Sequence, residues 1–191
     1  MEKYTAGFSG TLTLKEYPSE QSANALFTCM RNIRFLKDIL KRKKIYPRYY
    51  KEDIEYLHLP GLSGIAYPMK CFCDIFLNKL EKHMDKYGEY GIALTKEWGL
   101  TNKIQPIQYI NENSFLYTSI QKLYENRHDP NNKLEYGLKI TDKDIKYIII
   151  SKEEEREPFI DFILKECRFS RKEKYNLISK LIIFNEMKGD W

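Results

Sequence analysis

The feature that most constrains the fold is a nearly continuous apolar run, Ile-Lys-Tyr-Ile-Ile-Ile, at Ile145–Ile150. A short run of this kind, with little alternation between apolar and polar residues, is typical of a strand at the centre of a sheet. The chain also contains 15 tyrosines and 10 phenylalanines, and aromatic residues favour strands. We therefore expect the fold to be organised around a sheet that has Ile145–Ile150 in its interior.

An amphipathic helix is the second clear prediction. Cys29, Ile33, Leu36 and Leu40 recur at helical spacing, and Thr28 is available as the N-cap. Pro47 and the stretch Tyr49–Gly64 are expected to interrupt regular structure. Other strands are predicted at Phe8–Leu14, Ile65–Ile75, Tyr90–Thr95, Pro106–Ile110 and Leu134–Leu138, and Leu181–Phe184 is either a strand or a helix end. Other helices are predicted from Asn78 to Tyr87 with Gly88 as C-cap, from Asn111 or Asn113, around Pro158–Ile163, and after the capping box of Ser170 and Glu173.

Helices and strands alternate without a strict βαβ rhythm. The sequence thus predicts an α+β fold, a single compact domain over residues 1–191 with a mixed, mostly antiparallel sheet flanked by helices. No apolar run approaches the roughly 20 residues that span a bilayer. The first residues, Met1–Tyr4, do not read as a secretory signal. We expect a cytoplasmic protein with no membrane partner.

No complete catalytic motif is visible in the sequence. Phosphate-binding loops, dinucleotide fingerprints, nucleophile elbows and zinc-protease motifs are absent. Cys71 and Cys73 are one residue apart, which is too close for the usual zinc ligand pairs, so no metal site is expected. Polar and aromatic residues near predicted strand ends instead form a candidate binding cleft, because clefts commonly lie at strand ends. These residues are Thr28, Asp74, His83, Tyr87, Tyr90, Lys96 and Trp98. The alternative interpretation is that Asp74 caps a turn and that the aromatic residues are core.

Positive charge is concentrated between Arg31 and Lys51, where nine lysines and arginines accompany the single acid Asp38. Part of this charge complements the negative end of the predicted helix dipole. It also predicts a basic contact surface for an acidic protein partner or, with weaker support, for nucleic-acid phosphates. The residues of this basic contact surface are Arg31, Arg34, Lys41, Arg42, Lys43, Lys44 and Arg48.

The middle of the chain carries a family resemblance. Pro68–Ile75 contains Cys-Phe-Cys-Asp, His83 follows, and Tyr87–Trp98 contains Tyr-Gly-Glu-Tyr-Gly-Ile. With flanking similarity from Phe27 to Phe162, this pattern resembles the AbiGi family of abortive phage-infection proteins, most strongly over 65–110.

The resemblance implies a role in bacterial defence against phage. It implies an antitoxin-like protein whose partner is a nucleotidyltransferase-like toxin encoded nearby. One departure is that the family's acidic-Arg-Glu-Trp-Arg segment has no match here, since Asn126–Asn132 is only a short turn. This departure favours a binding role over an enzymatic one.

Three functions therefore follow, in order of preference. The first is an antitoxin-like regulator that acts by binding a toxin. The second is a small ADP-ribosyltransferase-like enzyme acting on NAD or a nucleotide, in which tyrosine rings stack on the base and Lys96 meets a phosphate. The third is a nucleic-acid-binding module. No cofactor is evident from the sequence, and NAD or a nucleotide is expected only under the second function.

Overall fold

The structure is a computed structural model that describes residues 23–105, 113, 117–119, 122 and 137–188. The strands predicted at Phe8–Leu14 and Pro106–Ile110 lie outside the described residues. Most of the helix predicted from Asn111 or Asn113, the turn at Asn126–Asn132 and most of the strand predicted at Leu134–Leu138 also lie outside them.

Helices and strands are interspersed along the described chain. Its strands are β1 (Ala25–Met30), β2 (Lys44–Ile45), β3 (Arg48–Asp53), β4 (Gly64–Met69), β5 (Tyr90–Thr95), β6 (Leu138–Lys139), β7 (Ile145–Ile150) and β8 (Leu181–Ile183). Its α-helices are α1 (Ile33–Arg42), α2 (Glu81–Tyr87), α3 (Lys96–Thr101), α4 (Arg156–Glu166), α5 (Arg171–Ile178) and α6 (Phe184–Met187). Short 3₁₀ turns lie at Glu55–Leu57, Leu77–Lys79 and Glu153–Glu155.

The main sheet has four strands in the order β1-β5-β7-β8. The pairs β1–β5 and β5–β7 are antiparallel, and β7–β8 is parallel. The predicted α+β class with a mixed, mostly antiparallel sheet is therefore confirmed. The apolar run of β7 is paired on both sides, as its composition requires.

Both faces of this sheet are covered, because successive side chains of a strand point to opposite faces. On β7, Ile148 and Ile150 belong to a core cluster that includes residues of α1, α4 and α5. Ile149 belongs to a second cluster, together with Met84 of α2 and Phe184 of α6. The sheet is thus a middle layer between two sets of helices.

The predicted start of the first helix is wrong. Thr28 is a buried residue of β1, in register with Ile92 of β5, and is no helix cap. Helix α1 begins at Ile33 after Asn32, whose side-chain oxygen accepts a hydrogen bond from the Arg34 amide at 2.9 Å. Cys29 has helical spacing to Ile33 but lies in β1, before the helix begins. The helix begins after Asn32, four residues beyond Thr28, because asparagine is a stronger N-cap than threonine. Leu36 and Leu40 are fully buried on the face that the sequence predicted.

The segment predicted to be irregular, Tyr49–Gly64, instead contains most of β3. This strand pairs with β4 in an antiparallel hairpin of two strands, with Tyr49 opposite Pro68. A proline is tolerated there because the described hairpin leaves both strands at edges. Strand β4 ends at Met69, earlier than the predicted Ile75, and only Cys73 makes a further bridge, to Phe27.

Several predicted helix caps and element ends are confirmed. Gly88 is the C-cap of α2, Ser170 and Glu173 form the capping box of α5, and Leu181–Ile183 is a strand. Trp98 and Gly99 were expected to lie in a connection between strands but are part of α3, because the Thr95 hydroxyl accepts a hydrogen bond from the Trp98 amide and caps a new helix.

Candidate functional site

A cleft of about 440 Å³ opens between α1, the end of β1 and the β3–β4 hairpin. Its volume falls within the range of small-molecule sites. The end of β1 and one side of α1 form part of the wall, the hairpin forms another part, and the last residue of α2 closes it. The cleft is lined by Cys29, Met30, Arg31, Phe35, Asp38, Ile39, Lys44, Tyr46, Arg48, Tyr50, Lys70 and Tyr87.

The cleft is strongly positive. Four of its lining residues are cations, namely Arg31, Lys44, Arg48 and Lys70, and Asp38 is the single carboxylate. Asp38 is held by Arg42, whose Nε lies 2.6 Å from its Oδ1. Among the residues that the structure describes, none of the four lining cations takes part in an ion pair. The positive charge of the cleft is therefore not neutralised by a described carboxylate.

Lys70 shows the electrostatic consequence of this arrangement. It follows β4, and its side chain is half-buried. Burial lowers the pKa of the Lys70 ammonium, and the nearby positive charge of Arg48 lowers it further. An anion bound in the cleft would relieve this unfavourable burial of like charges.

Aromatic side chains line the cleft together with these cations. Phe35 on α1 lies beneath the Arg48 guanidinium, whose central carbon is 3.9 Å from the ring centroid. Tyr87 packs against His83 in a tilted arrangement, with ring centroids 4.4 Å apart and an angle of 36° between the ring planes. Tyr46 and Tyr50 are exposed at the opening. Cations beside exposed aromatic rings match ligands that combine negative charge with a planar ring system.

Only part of the predicted basic contact surface lies in the cleft, which takes in Arg31, Lys44 and Arg48. The other residues do not line it. Lys41 pairs with Glu166 on α4 at 3.1 Å, and the Lys43 ammonium lies 4.1 Å from the ring centroid of Phe169. Arg42 does not line the cleft but borders it, since it holds Asp38 and its guanidinium carbon lies 5.9 Å from the centroid of the Tyr46 ring. Arg34 is exposed on α1. The helix thus divides this basic stretch between different surfaces.

The residues of the predicted binding cleft are dispersed. Tyr87 alone among them lines the cleft described above. Lys96 pairs with Asp74 at 2.7 Å, and the Trp98 indole donates a hydrogen bond to the Lys139 carbonyl at 2.9 Å. Thr28 is buried in β1, and the Tyr90 hydroxyl donates to Glu155 at 2.8 Å. In the part of the chain that the structure describes, these seven residues do not line one common pocket, so their joint role remains a prediction.

Two of these residues have shifted pKa values. Burial, followed by the positive charge of Lys86, lowers the pKa of His83, so its imidazole is neutral at pH 7. Burial and the hydrogen bond to Glu155 raise the pKa of Tyr90 to about 12. Asp74 is paired with Lys96 and not with His83. Asp74 and His83 therefore do not form with each other the kind of pair that general acid–base catalysis can use.

Sequence reasoning missed Lys70, Tyr46 and Tyr50 as site residues. Lys70 lies inside the motif that carries the family resemblance, but a single lysine there gives no signal of its own. Tyr50 lies in the stretch that was interpreted as irregular. A strand assignment for Arg48–Asp53 would have placed Arg48 and Tyr50 on one face, because they are two residues apart.

Cys29, which lines the cleft, forms a pair of thiols with Cys73. Cys73 is joined to Phe27 of β1 by two backbone hydrogen bonds, of 2.7 and 2.9 Å. The interaction between the Cys29 and Cys73 thiols lowers the pKa of Cys73, whereas the same interaction together with burial raises the pKa of Cys29. Cys73 is therefore the more nucleophilic thiol of this pair.

We expect Cys73 to be alkylated by iodoacetamide at pH 7.5 faster than Cys29, measured by mass spectrometry in a Cys71→Ser background. Replacing Cys29 with alanine removes this interaction and is expected to slow the alkylation of Cys73 about threefold or more. Cys167→Ala is the matched control, because burial raises the pKa of this distant thiol to about 11. An unchanged rate at Cys73 in Cys29→Ala would contradict the assigned interaction between the two thiols.

The described ranges also bear on metal binding and on membrane insertion. No group of three or more histidine, cysteine, aspartate or glutamate side chains there is placed to hold a metal ion. None of the helices in the part of the chain that the structure describes is both long and apolar enough to cross a bilayer.

Comparisons with known proteins converge on one family. Residues 33–130 match the sequence model of a family described as "Putative abortive phage resistance protein AbiGi, antitoxin". A protein named "Abortive phage resistance protein AbiGi", from Lactococcus lactis subsp. cremoris, is 46% identical over 77 residues, which cover 36% of this chain and 31% of that protein. The chain thus spans about a third of the length of this curated relative. No solved structure matches the chain.

Proposed function

Because this chain belongs to the AbiGi family of abortive phage resistance proteins, we propose that it acts as an antitoxin that neutralises a partner toxin by binding it. The family description includes the word antitoxin. We further propose that the partner is a nucleotidyltransferase-like toxin encoded near this chain. A binding role agrees with the absence of a complete catalytic motif in the sequence.

One structural observation carries the proposal, namely three large aromatic or aliphatic side chains that the β3–β4 hairpin leaves exposed. Tyr49 on β3 is 63% exposed, and Tyr56 and Leu62, between the two strands, are 49% and 48% exposed. We call these three residues the hairpin surface. It lies within residues 33–130, which the family model matches. Tyrosines are enriched in protein–protein interfaces, where they bury a large area and retain a polar group.

Within the hairpin surface, Tyr49 points away from the cleft. Arg48 and Tyr50 line the cleft, so the alternation of side chains along β3 turns Tyr49 and Lys51 to the opposite face. Ile54 and Leu59, between the two strands, form a small buried cluster with Tyr117. This cluster supports the hairpin while its outer face remains open to a partner.

The proposal is tested by co-purification. A tagged copy of this chain is expressed together with the product of the adjacent gene, and the mixture is separated by size-exclusion chromatography. We expect the two proteins to elute as one stable complex. If the toxin is neutralised while the two proteins elute separately, neutralisation by direct binding is contradicted.

A further inference from the structure

We propose that the cleft between α1 and the β3–β4 hairpin binds a nucleotide, with Lys70, Arg48, Lys44 and Arg31 meeting its phosphate groups and Tyr50 and Tyr46 contacting its base. This inference goes beyond the proposed function and does not depend on it. No family match or relative assigns a ligand to this cleft.

The first argument is uncompensated charge. Four cations converge on a single cleft, and its one carboxylate is engaged by Arg42. Surface cations scattered over a protein remain hydrated at little cost, but Lys70 is half-buried next to Arg48. Cationic groups held together in this way are stabilised when they share an anion, and phosphate oxygens accept several charge-assisted hydrogen bonds at once.

The second argument is the aromatic lining. A site for inorganic phosphate requires only donors and cations, whereas here exposed tyrosine rings stand at the opening of the cleft. Stacking of a nucleobase on an aromatic ring contributes to affinity for any base, because every base has a π-face. A volume of about 440 Å³ admits a mononucleotide.

A small nucleotide is favoured over a nucleic-acid strand because the cations are concentrated in one cleft. A strand-binding protein tracks the backbone with a groove that spans several nucleotides. On this chain, Lys41 and Lys43 are directed to Glu166 and Phe169 outside the cleft. Arg42 borders the cleft, but its charge is engaged by Asp38. Among the described residues, Lys41, Arg42 and Lys43 therefore do not extend the cleft into a continuous basic path.

The test is isothermal titration of the purified chain with ATP, and separately with inorganic tripolyphosphate and with adenosine. We expect ATP to bind roughly tenfold tighter than either fragment, because phosphate contacts and base stacking both contribute. Tripolyphosphate binding as tightly as ATP would overturn the assigned role of the tyrosines. Binding of a fifteen-residue oligothymidine without binding of ATP would overturn the proposal in favour of a nucleic-acid strand.

Two variants locate the site. Lys70→Met removes the charge but retains most of the aliphatic stem, whereas Tyr50→Ala removes an aromatic ring. Each variant is expected to weaken ATP binding by roughly tenfold or more. Lys51→Met is the matched control, since Lys51 neighbours Tyr50 but points to the opposite face of β3. We expect its ATP affinity to stay within about twofold of the parent. Equal weakening by Lys51→Met and Lys70→Met would show a general charge effect and overturn the site.

Thermal melting monitors the fold of these variants. Lys70→Met is expected to raise the melting temperature, since the lowered pKa means that folding disfavours the ammonium at neutral pH. Toxin neutralisation by Lys70→Met is expected to be unchanged, because the hairpin surface is intact. The two proposals therefore fail independently of each other.

Discussion

Replacing Gly88 with alanine is expected to destabilise the protein by about 3–5 kcal/mol. Gly88 caps α2 with a φ of 127°, and its amide donates a hydrogen bond to the Met84 carbonyl at 2.7 Å. A Cβ atom at this position would lie 2.1 Å from the carbonyl carbon and oxygen of Met30 and 2.4 Å from the Arg31 amide nitrogen. These are backbone atoms at the end of β1, so no side-chain rotation can relieve the overlap. The glycine is required for the close approach of α2 to β1.

The measurement is the free energy of unfolding from urea denaturation, and Gly61→Ala is the matched control. Gly61 also has a positive φ, of 75°, but a Cβ there would meet nothing within 4 Å. Its substitution therefore reports the conformational cost alone, about 1 kcal/mol. A Gly88→Ala variant that loses no more stability than Gly61→Ala would contradict the close contact. Met30 and Arg31 line the cleft. A Gly88→Ala variant of unchanged stability would therefore also contradict the position of these two residues in the cleft wall.

The second large effect is expected at the hairpin surface. The double variant Tyr49→Ala, Tyr56→Ala is expected to weaken binding of the partner toxin at least ~100-fold, because exposed tyrosines of this kind are typical interface hot spots. The fold should survive, since both side chains are exposed. The hydrogen bond that the Tyr117 hydroxyl donates to Tyr56 ends on the Tyr56 backbone carbonyl, so it is independent of the Tyr56 side chain.

Binding is measured by surface plasmon resonance against the purified toxin, or by co-purification where the toxin is unstable alone. The control is Tyr175→Ala on α5, since Tyr175 is 53% exposed and lies outside the family-matched segment. We expect this variant to bind like the parent. If the double variant and Tyr175→Ala bind equally well, the hairpin surface is not the toxin interface.

The features that the sequence predicted best depend on local periodicity and local hydrogen bonds. The apolar run of Ile145–Ile150 and the pattern of Tyr90–Thr95 located β7 and β5 correctly. The Ser170–Glu173 capping box and the Gly88 cap marked helix ends, because those bonds join residues close in sequence.

The features that the sequence did not predict depend on contacts between distant segments. Thr28 lies in a strand because it pairs with β5, more than sixty residues later, and this outweighs the local helical spacing of Cys29. Strand β3 exists through its pairing with β4, although its own side chains are all exposed. Periodicity cannot identify a strand whose exposed residues show no alternation of apolar and polar character.

The cleft illustrates the same limit. Lys70 and Tyr50 line the same cleft because the hairpin pairs β3 with β4, and Arg31 lines it from the end of β1. The sequence identified Arg31, Lys44 and Arg48 as a basic surface, but it grouped them with Lys41 and Lys43, which the helix directs elsewhere. Charge composition thus indicated part of the site, and only the fold separated the cleft from the remaining basic residues.

The most direct test of the antitoxin proposal is the growth of a bacterial host that expresses this chain, the adjacent gene, or both together. If this chain is an antitoxin that acts by binding, its expression alone leaves growth unchanged, the adjacent gene alone arrests growth, and their joint expression restores it. The antitoxin proposal would be contradicted if this chain alone arrested growth. It would also be contradicted if joint expression failed to restore growth although both proteins were made.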